Sequence, residues 1–318
     1  MSARSIGHVA GRRRFLRIVA GAGALAAGAA ARPASALTRW RGVAMGAGAS
    51  IALDHPDAAR LIALARAEID RLEGVFSLYR ADSELSRLNR DGRLDGPAPE
   101  MVALLSLCAD LRRATGGAFD PSVQPLWALH AQAYAAGAAP DAAAVARALR
   151  LVGFGGVLID AGRIAFARPG MALTLNGVAQ GFVADRVAAL LAAEGLTDAL
   201  IDTGEIRALG GRPDGGPWRV GFAEAPSGAA PYPLREAALA TSAPLGSCFD
   251  AAGRAGHILD PRTGAPGGRW RSISVTAPRA ATADALSTAF CLMDAGAIAA
   301  TLAARRDARL VRRVALDA

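Results

Sequence analysis

Apolar residues recur along this chain at two periods, and the changes between them predict most of its elements. From Pro56 to Gly74, Leu61, Leu64, Ala65, Ile69 and Leu72 return at helical spacing, which predicts an amphipathic helix. Val75-Phe76-Ser77-Leu78-Tyr79-Arg80 follows, then a short polar helix ending near Asn89. Pro99 to Ala114 reads as a second amphipathic helix, ended by Thr115-Gly116-Gly117. An alanine-rich middle section holds a predicted helix at 141–150, and another runs from about Val178 to Glu194 with Val183, Val187, Leu190 and Leu191 as its buried stripe. Strands are predicted over 39–53 with Met45-Gly46 inside, and over 157–160, 163–167, 172–175, 198–202, 206–210, 217–223 and 270–277. Loops rich in glycine and proline cover 211–216 and 225–233, and a helix at 283–293 precedes a last helix and strand. With no internal repeat and no long linker, this mixture predicts one compact α+β domain over 37–318, its strands mixed and largely antiparallel.

Composition changes the picture little. A hydrophobic fraction of 52% with 5% aromatics indicates an aliphatic, alanine-rich core. The net charge of +8 resembles a nucleic-acid or membrane signature. However, Arg4, Arg12, Arg13, Arg14, Arg17 and Arg32 all precede the expected mature start, and the remainder is close to neutral. No arginine cluster interleaved with aromatics stands out, so a nucleic-acid partner is not expected. All 36 basic residues are arginine, which GC-rich coding explains without appeal to function.

The N-terminus reads as an export signal. Gly11-Arg12-Arg13-Arg14-Phe15-Leu16-Arg17 resembles a twin-arginine motif, residues 18–31 form a small apolar stretch, and Ala34-Ser35-Ala36 fits a cleavage site. The stretch is short and weakly apolar against the ~20 residues a membrane span needs. The expectation is therefore removal of residues 1–36, a periplasmic mature domain and no stable membrane anchor. Cys108, Cys248 and Cys291 are odd in number and lack metal-ligand spacing, which predicts buried thiols rather than a disulfide.

Two segments concentrate chemistry. His257-Ile258-Leu259-Asp260-Pro261-Arg262-Thr263-Gly264 gathers a histidine, an acid, an arginine and turn-formers. Asp284 and Thr288 lie four residues apart, on one face of a predicted helix. A histidine loop beside hard oxygen ligands suits a magnesium-assisted phosphate site. Taken singly, each feature also has a structural reading, since an acid favours a helix start and a histidine suits a turn. Gly177-Val178-Ala179-Gln180-Gly181 lets backbone amides approach an anion or merely turns a strand into a helix. The Phe119-Asp120 pair after Gly116-Gly117-Ala118 stacks on a planar ring and bonds its polar edge, or caps a helix.

Together the segments resemble the ApbE family of FAD:protein FMN transferases. The matching blocks are Met45-Gly46, Phe76 to Arg80 with Asp82 to Asn89, and Thr115 to Pro121. They continue with Gly177 to Asp185, Ala240-Thr241-Ser242, His257 to Gly264 and Thr282 to Thr288. The resemblance implies an ApbE-like domain that binds FAD as substrate with Mg²⁺ on its pyrophosphate. It implies attack by a threonine or serine hydroxyl of an acceptor redox protein, leaving FMN on that protein and releasing AMP. It places Met45, Tyr79, Ala118, Phe119, Asp120, Thr174, Gln180 and Ile258 against FAD. The metal falls to Asp284 and Thr288 with an oxygen from Gly177, and His257 is the candidate base. Gln180 stands where the family commonly has lysine, Thr174 where aspartate is common, and Ala243 where glycine is usual. Asp202-Thr203-Gly204-Glu205-Ile206 replaces a segment with two adjacent glycines. Those departures keep two other readings open, a flavin-binding or carrier protein without enzymatic activity and an FAD pyrophosphatase in which water replaces the protein hydroxyl.

Overall fold

A computed structural model describes residues 16–18, 37–226 and 228–316. Of the predicted export signal, only Leu16–Ile18 falls within them; the rest of it, with its cleavage site, lies outside the described residues. The chain begins with strands β1 (Leu16–Ile18), β2 (Thr38–Ala44) and β3 (Ala47–Leu53), then helices α1 (Ala58–Phe76) and α2 (Glu84–Asp91). Strand β4 (Arg93–Asp95) leads to α3 (Pro99–Ala114), α4 (Gln124–Ala135) and α5 (Ala142–Leu149). Strands β5 (Val157–Ile159) and β6 (Arg163–Phe166) precede α6 (Ala179–Ala193). Five strands follow: β7 (Ala199–Asp202), β8 (Ile206–Leu209), β9 (Trp218–Phe222), β10 (Tyr232–Leu234) and β11 (Ala238–Ser242). The chain closes with β12 (Trp270–Ala277), α7 (Ala280–Phe290), α8 (Ala295–Ala304) and β13 (Arg309–Ala315).

Seven strands form the central sheet in the order β13-β12-β11-β8-β7-β3-β2, and neighbours in it pair antiparallel. The domain is α+β, as the pattern predicts. Alternation along its strands feeds two cores. Ile51, Leu53, Ile201 and Ala240 join the large core, where α1, α6 and α7 also bury their apolar faces. Ala52, Leu200 and Leu239 join a smaller core completed by Trp218 and Val220 of β9 and Leu234 of β10. Strand β9 is paired on both sides, by β1 and by β10. Strands β4, β6 and β5 form a separate small sheet.

Several predicted elements differ. Residues 39–53 are a hairpin, not one strand, because Met45 and Gly46 both take positive φ (50° and 74°) and form a two-residue turn between Ala44 and Ala47. The predicted strand at 172–175 is irregular, its backbone bonded to Asn89 and Pro121 rather than to a ladder. Helix α4 and strand β11 were not predicted, β10 falls within the predicted loop at 225–233, and α7 starts three residues early. The predicted stripe on α6 holds, with Val183, Val187 and Leu191 buried and Leu190 packed at its edge. Cys108 and Cys291 are buried thiols, their pKa values pushed up by desolvation, and Cys248 is half-exposed. No helix among the described residues is long and apolar enough to cross a membrane.

Candidate functional site

Segments distant in the chain wall one cavity. Ala118, Phe119 and Asp120 come from the turn after α3, and Thr174, Asn176, Gly177 and Gln180 from the approach to α6. Thr241, Ser242 and Ala243 end β11, the histidine loop gives His257, Ile258, Leu259 and Pro261, and α7 gives Asp284 and Thr288. Gly204 and Glu205 add a further piece of wall.

The close packing of α6 on α7 builds the oxygen-rich corner. At Gly181 a Cβ would stand 2.4 Å from the carbonyl oxygen of Ala280, so only glycine allows the approach. The Gly181 amide then donates to Asp284 Oδ2 at 3.2 Å. Asp185, one turn along α6, accepts from the amides of Ala280 (2.8 Å) and Ala281 (3.0 Å) and so caps α7 from outside it. Burial pushes the Asp185 carboxyl above its ordinary range, against the opposing pull of those two amides. At Gly177 a Cβ would lie 3.1 Å from Thr288 Oγ1, filling the space beside that hydroxyl.

Asp284 is 3% exposed. A buried carboxylate and a hydroxyl one turn apart on α7 supply hard oxygen donors of the kind Mg²⁺ prefers. Among the described residues, no group of three or more His, Cys, Asp and Glu gathers to hold a metal. A cation here would therefore rely on hydroxyl and carbonyl oxygen as well as carboxylate.

His257 has its ring fixed by the backbone. Nδ1 lies 3.0 Å from the carbonyl of Ser247 and 3.2 Å from that of Pro244. Carbonyls only accept, so the neutral ring carries its proton on Nδ1 and has its lone pair on Nε2. That is the tautomer a general base needs.

Asp120 lines the cavity, but its oxygens serve the scaffold. Oδ1 accepts from the Ser122 amide (2.9 Å) and hydroxyl (2.5 Å), and Oδ2 from Arg112 Nε (2.7 Å) and the Phe154 amide (3.2 Å). Asp120 thus caps the short 3₁₀ turn at Pro121–Val123, one of its two sequence readings. Gln180 is buried, and Gly204 packs against its amide so closely that a Cβ there would lie 2.6 Å from Nε2.

Met45 and Tyr79 do not line the cavity. They sit on its flank, where Tyr79 is 73% exposed and packs near Gly46, while Ala47 and Gly48 of the same hairpin reach the cavity wall. The Met45 amide donates to Glu73 Oε1 at 2.5 Å, which ties the turn to α1.

Glu205, Asn176, Trp127 and Ser242 also line the cavity without having been singled out as site residues. Glu205 is mostly buried, and its Oε2 accepts from the Thr241 amide at 3.1 Å. Its signal was the departure at Gly204-Glu205 from a paired-glycine segment. Among the described residues lining the cavity none is arginine, although all 36 basic residues of the chain are.

The sequence model of the ApbE family matches residues 45–311. The FAD:protein FMN transferase of Treponema pallidum (strain Nichols) is 34% identical over 249 residues, covering 70% of this chain and 68% of that protein. Among solved structures, the apo form of the Pseudomonas stutzeri flavinyl transferase ApbE superposes with a TM-score of 0.74 at 28% identity. That match covers 85% of this chain and 89% of the other. The ApbE protein of Thermotoga maritima superposes with a TM-score of 0.75 at 26% identity, covering 86% and 93%.

Proposed function

The chain belongs to the ApbE family, and from that membership we propose that it is a Mg²⁺-dependent FAD:protein FMN transferase. The observation that carries this reading is the convergence on one cavity of the histidine loop, the glycine turn before α6 and the Asp284/Thr288 pair. FAD is the substrate. Phe119 and Ile258 give apolar wall for its rings, and the N-terminus of α6 favours its phosphates.

The acceptor is a redox protein presenting a threonine or serine hydroxyl. The hydroxyl oxygen bonds to the FMN-side phosphorus while the bond from that phosphorus to the bridging oxygen breaks, and AMP departs with that oxygen. His257 Nε2 takes the hydroxyl proton, its tautomer held by the two carbonyls at Nδ1. Asp284, Thr288 and the Gly177 carbonyl would hold Mg²⁺, which when bound supplies neutralisation of the pyrophosphate charge.

The test incubates the mature chain with FAD, Mg²⁺ and peptides carrying candidate acceptor threonines, followed by in-gel flavin fluorescence. His257→Ala is expected to lower the transfer rate by about 10²- to 10⁴-fold while FAD still binds, and Asp284→Ala to abolish the metal-dependent rate. Bound FAD that reaches no acceptor would sink the transferase reading in favour of a carrier. Free FMN and AMP without labelled protein would point to hydrolysis by water. The export reading is proposed alongside it, with the mature domain in the periplasm after twin-arginine transport. Cell fractionation checks it, and retention in the cytoplasm would overturn it.

A further inference from the structure

Behind the Asp284/Thr288 pair, the hydrogen bonds determine which way each hydroxyl proton points. Ser287 Oγ lies 2.9 Å from the backbone carbonyl of Asp284. A carbonyl only accepts, so the single proton of Ser287 is committed to it. Ser242 Oγ lies 2.8 Å from Ser287 Oγ, and with the Ser287 proton already used, Ser242 must be the donor. Thr288 Oγ1 lies 3.2 Å from Ser242 Oγ, and with the Ser242 proton used in turn, Thr288 donates. The protons therefore run in one direction, from Thr288 to Ser242 to Ser287 to the Asp284 carbonyl. Reversal would set the lone pairs of Ser287 against that carbonyl oxygen.

We propose that Ser242 and Ser287 are positioning residues that draw the Thr288 proton away from the cavity, so that Thr288 presents lone pairs to a divalent cation. The proposal rests on the reading of Asp284 and Thr288 as cation ligands and adds the residues that make the hydroxyl competent. A hydroxyl whose proton pointed at the cation would repel it. Groups that orient a metal ligand from behind act on affinity in this way. Ser287 is fully buried and does not line the cavity, so it reaches a cation only through its two hydrogen-bond partners, Ser242 and the Asp284 backbone.

The test titrates Mn²⁺ into FAD-bound protein and reads free Mn²⁺ by electron paramagnetic resonance. In Ser287→Ala the Ser242 proton loses its acceptor and turns to Thr288 Oγ1, displacing the Thr288 proton toward the cavity. Ser287→Ala and Ser242→Ala are each expected to weaken Mn²⁺ binding by about tenfold, with FAD affinity in EDTA unchanged in Ser287→Ala, whose side chain does not line the cavity. The double variant is expected to lose no more than either single, because one chain of bonds is cut only once. Metal-free thermal melts check folding, and Ser242→Ala, at a half-exposed position, decides the matter if Ser287→Ala does not fold. Wild-type Mn²⁺ affinity in the serine variants, with binding lost in Asp284→Ala and Thr288→Ala, overturns the positioning role alone. Wild-type affinity in those two as well overturns the cation reading and the positioning role with it.

Discussion

At the scale of single residues, the site depends on what two glycines lack and on what two backbone carbonyls fix. Gly181 lies in the first turn of α6, where alanine would normally gain about 1 kcal/mol of helix propensity. Here its Cβ would meet backbone, 2.4 Å from the Ala280 oxygen and 2.7 Å from the Ala281 nitrogen, and no rotamer change relieves that contact. Gly181→Ala is therefore expected to destabilise by about 1–3 kcal/mol, the opposite sign to propensity, and to weaken Mn²⁺ binding as α7 is pushed away. Denaturant unfolding checks the first part, and an unchanged or raised midpoint would contradict the packing argument. The gathering of residues was legible where a motif carried it, as with His257, Asp284 and Thr288, which all line the cavity. Glu205 and Ser242 were not singled out, because nothing in a linear sequence shows that Glu205 reaches back to the Thr241 amide or that Ser242 stands behind Thr288. The Nδ1 proton of His257 was equally out of reach, since the carbonyls that hold it belong to the preceding loop.

At the scale of elements, α7 carries the two proposed metal ligands yet has no side-chain cap of its own, its cap position being Arg279. Asp185 of α6 supplies the acceptors instead. Asp185→Ala is expected to cost about 1–2 kcal/mol. Asp185→Asn should cost less, because it keeps one of the two acceptor oxygens and carries no charge, where burial already pushes the carboxyl's pKa up. Thermal melts of the two variants check the order, and an Ala variant as stable as wild type would show that α7 is held by other contacts. A cap from another helix also explains why the start of α7 was placed three residues late in the sequence, as no local signal marks it. Helix α3 was bounded correctly because Pro99 and Thr115-Gly116-Gly117 punctuate it in the chain itself. Helix α4 was invisible because few of its residues are buried, so it has no periodic stripe. Strand β11, Ala-Leu-Ala-Thr-Ser, is too short and too rich in alanine for its period to separate strand from helix.

At the scale of the whole molecule, the fold class followed from the mixture of periods, and five of the seven motif blocks supply residues to the cavity wall. The second core beneath the sheet was not legible, since β10 and β9 cover it from a stretch partly read as loop. The distribution of charge has a larger consequence. A protein whose basic residues are all arginine keeps them off the walls of its cavity, where Asp284 and Glu205 stand and Asp120 is already matched by Arg112. On the proposed function, an incoming pyrophosphate would meet carboxylates and the partial positive end of α6, and most of its compensating charge would have to arrive with a mobile ion. On that reading the two ligands are thermodynamically linked. Each raises the affinity for the other by one common factor, expected here to be on the order of tenfold. FAD titrations in EDTA and in saturating Mg²⁺ measure that factor from one side, and Mn²⁺ titrations with and without FAD measure it from the other. Equal FAD affinity in both buffers would mean that the cavity neutralises the dinucleotide unaided. With linkage of this kind, occupancy follows the product of flavin and cation availability, and the protein behaves as a coincidence detector for the two.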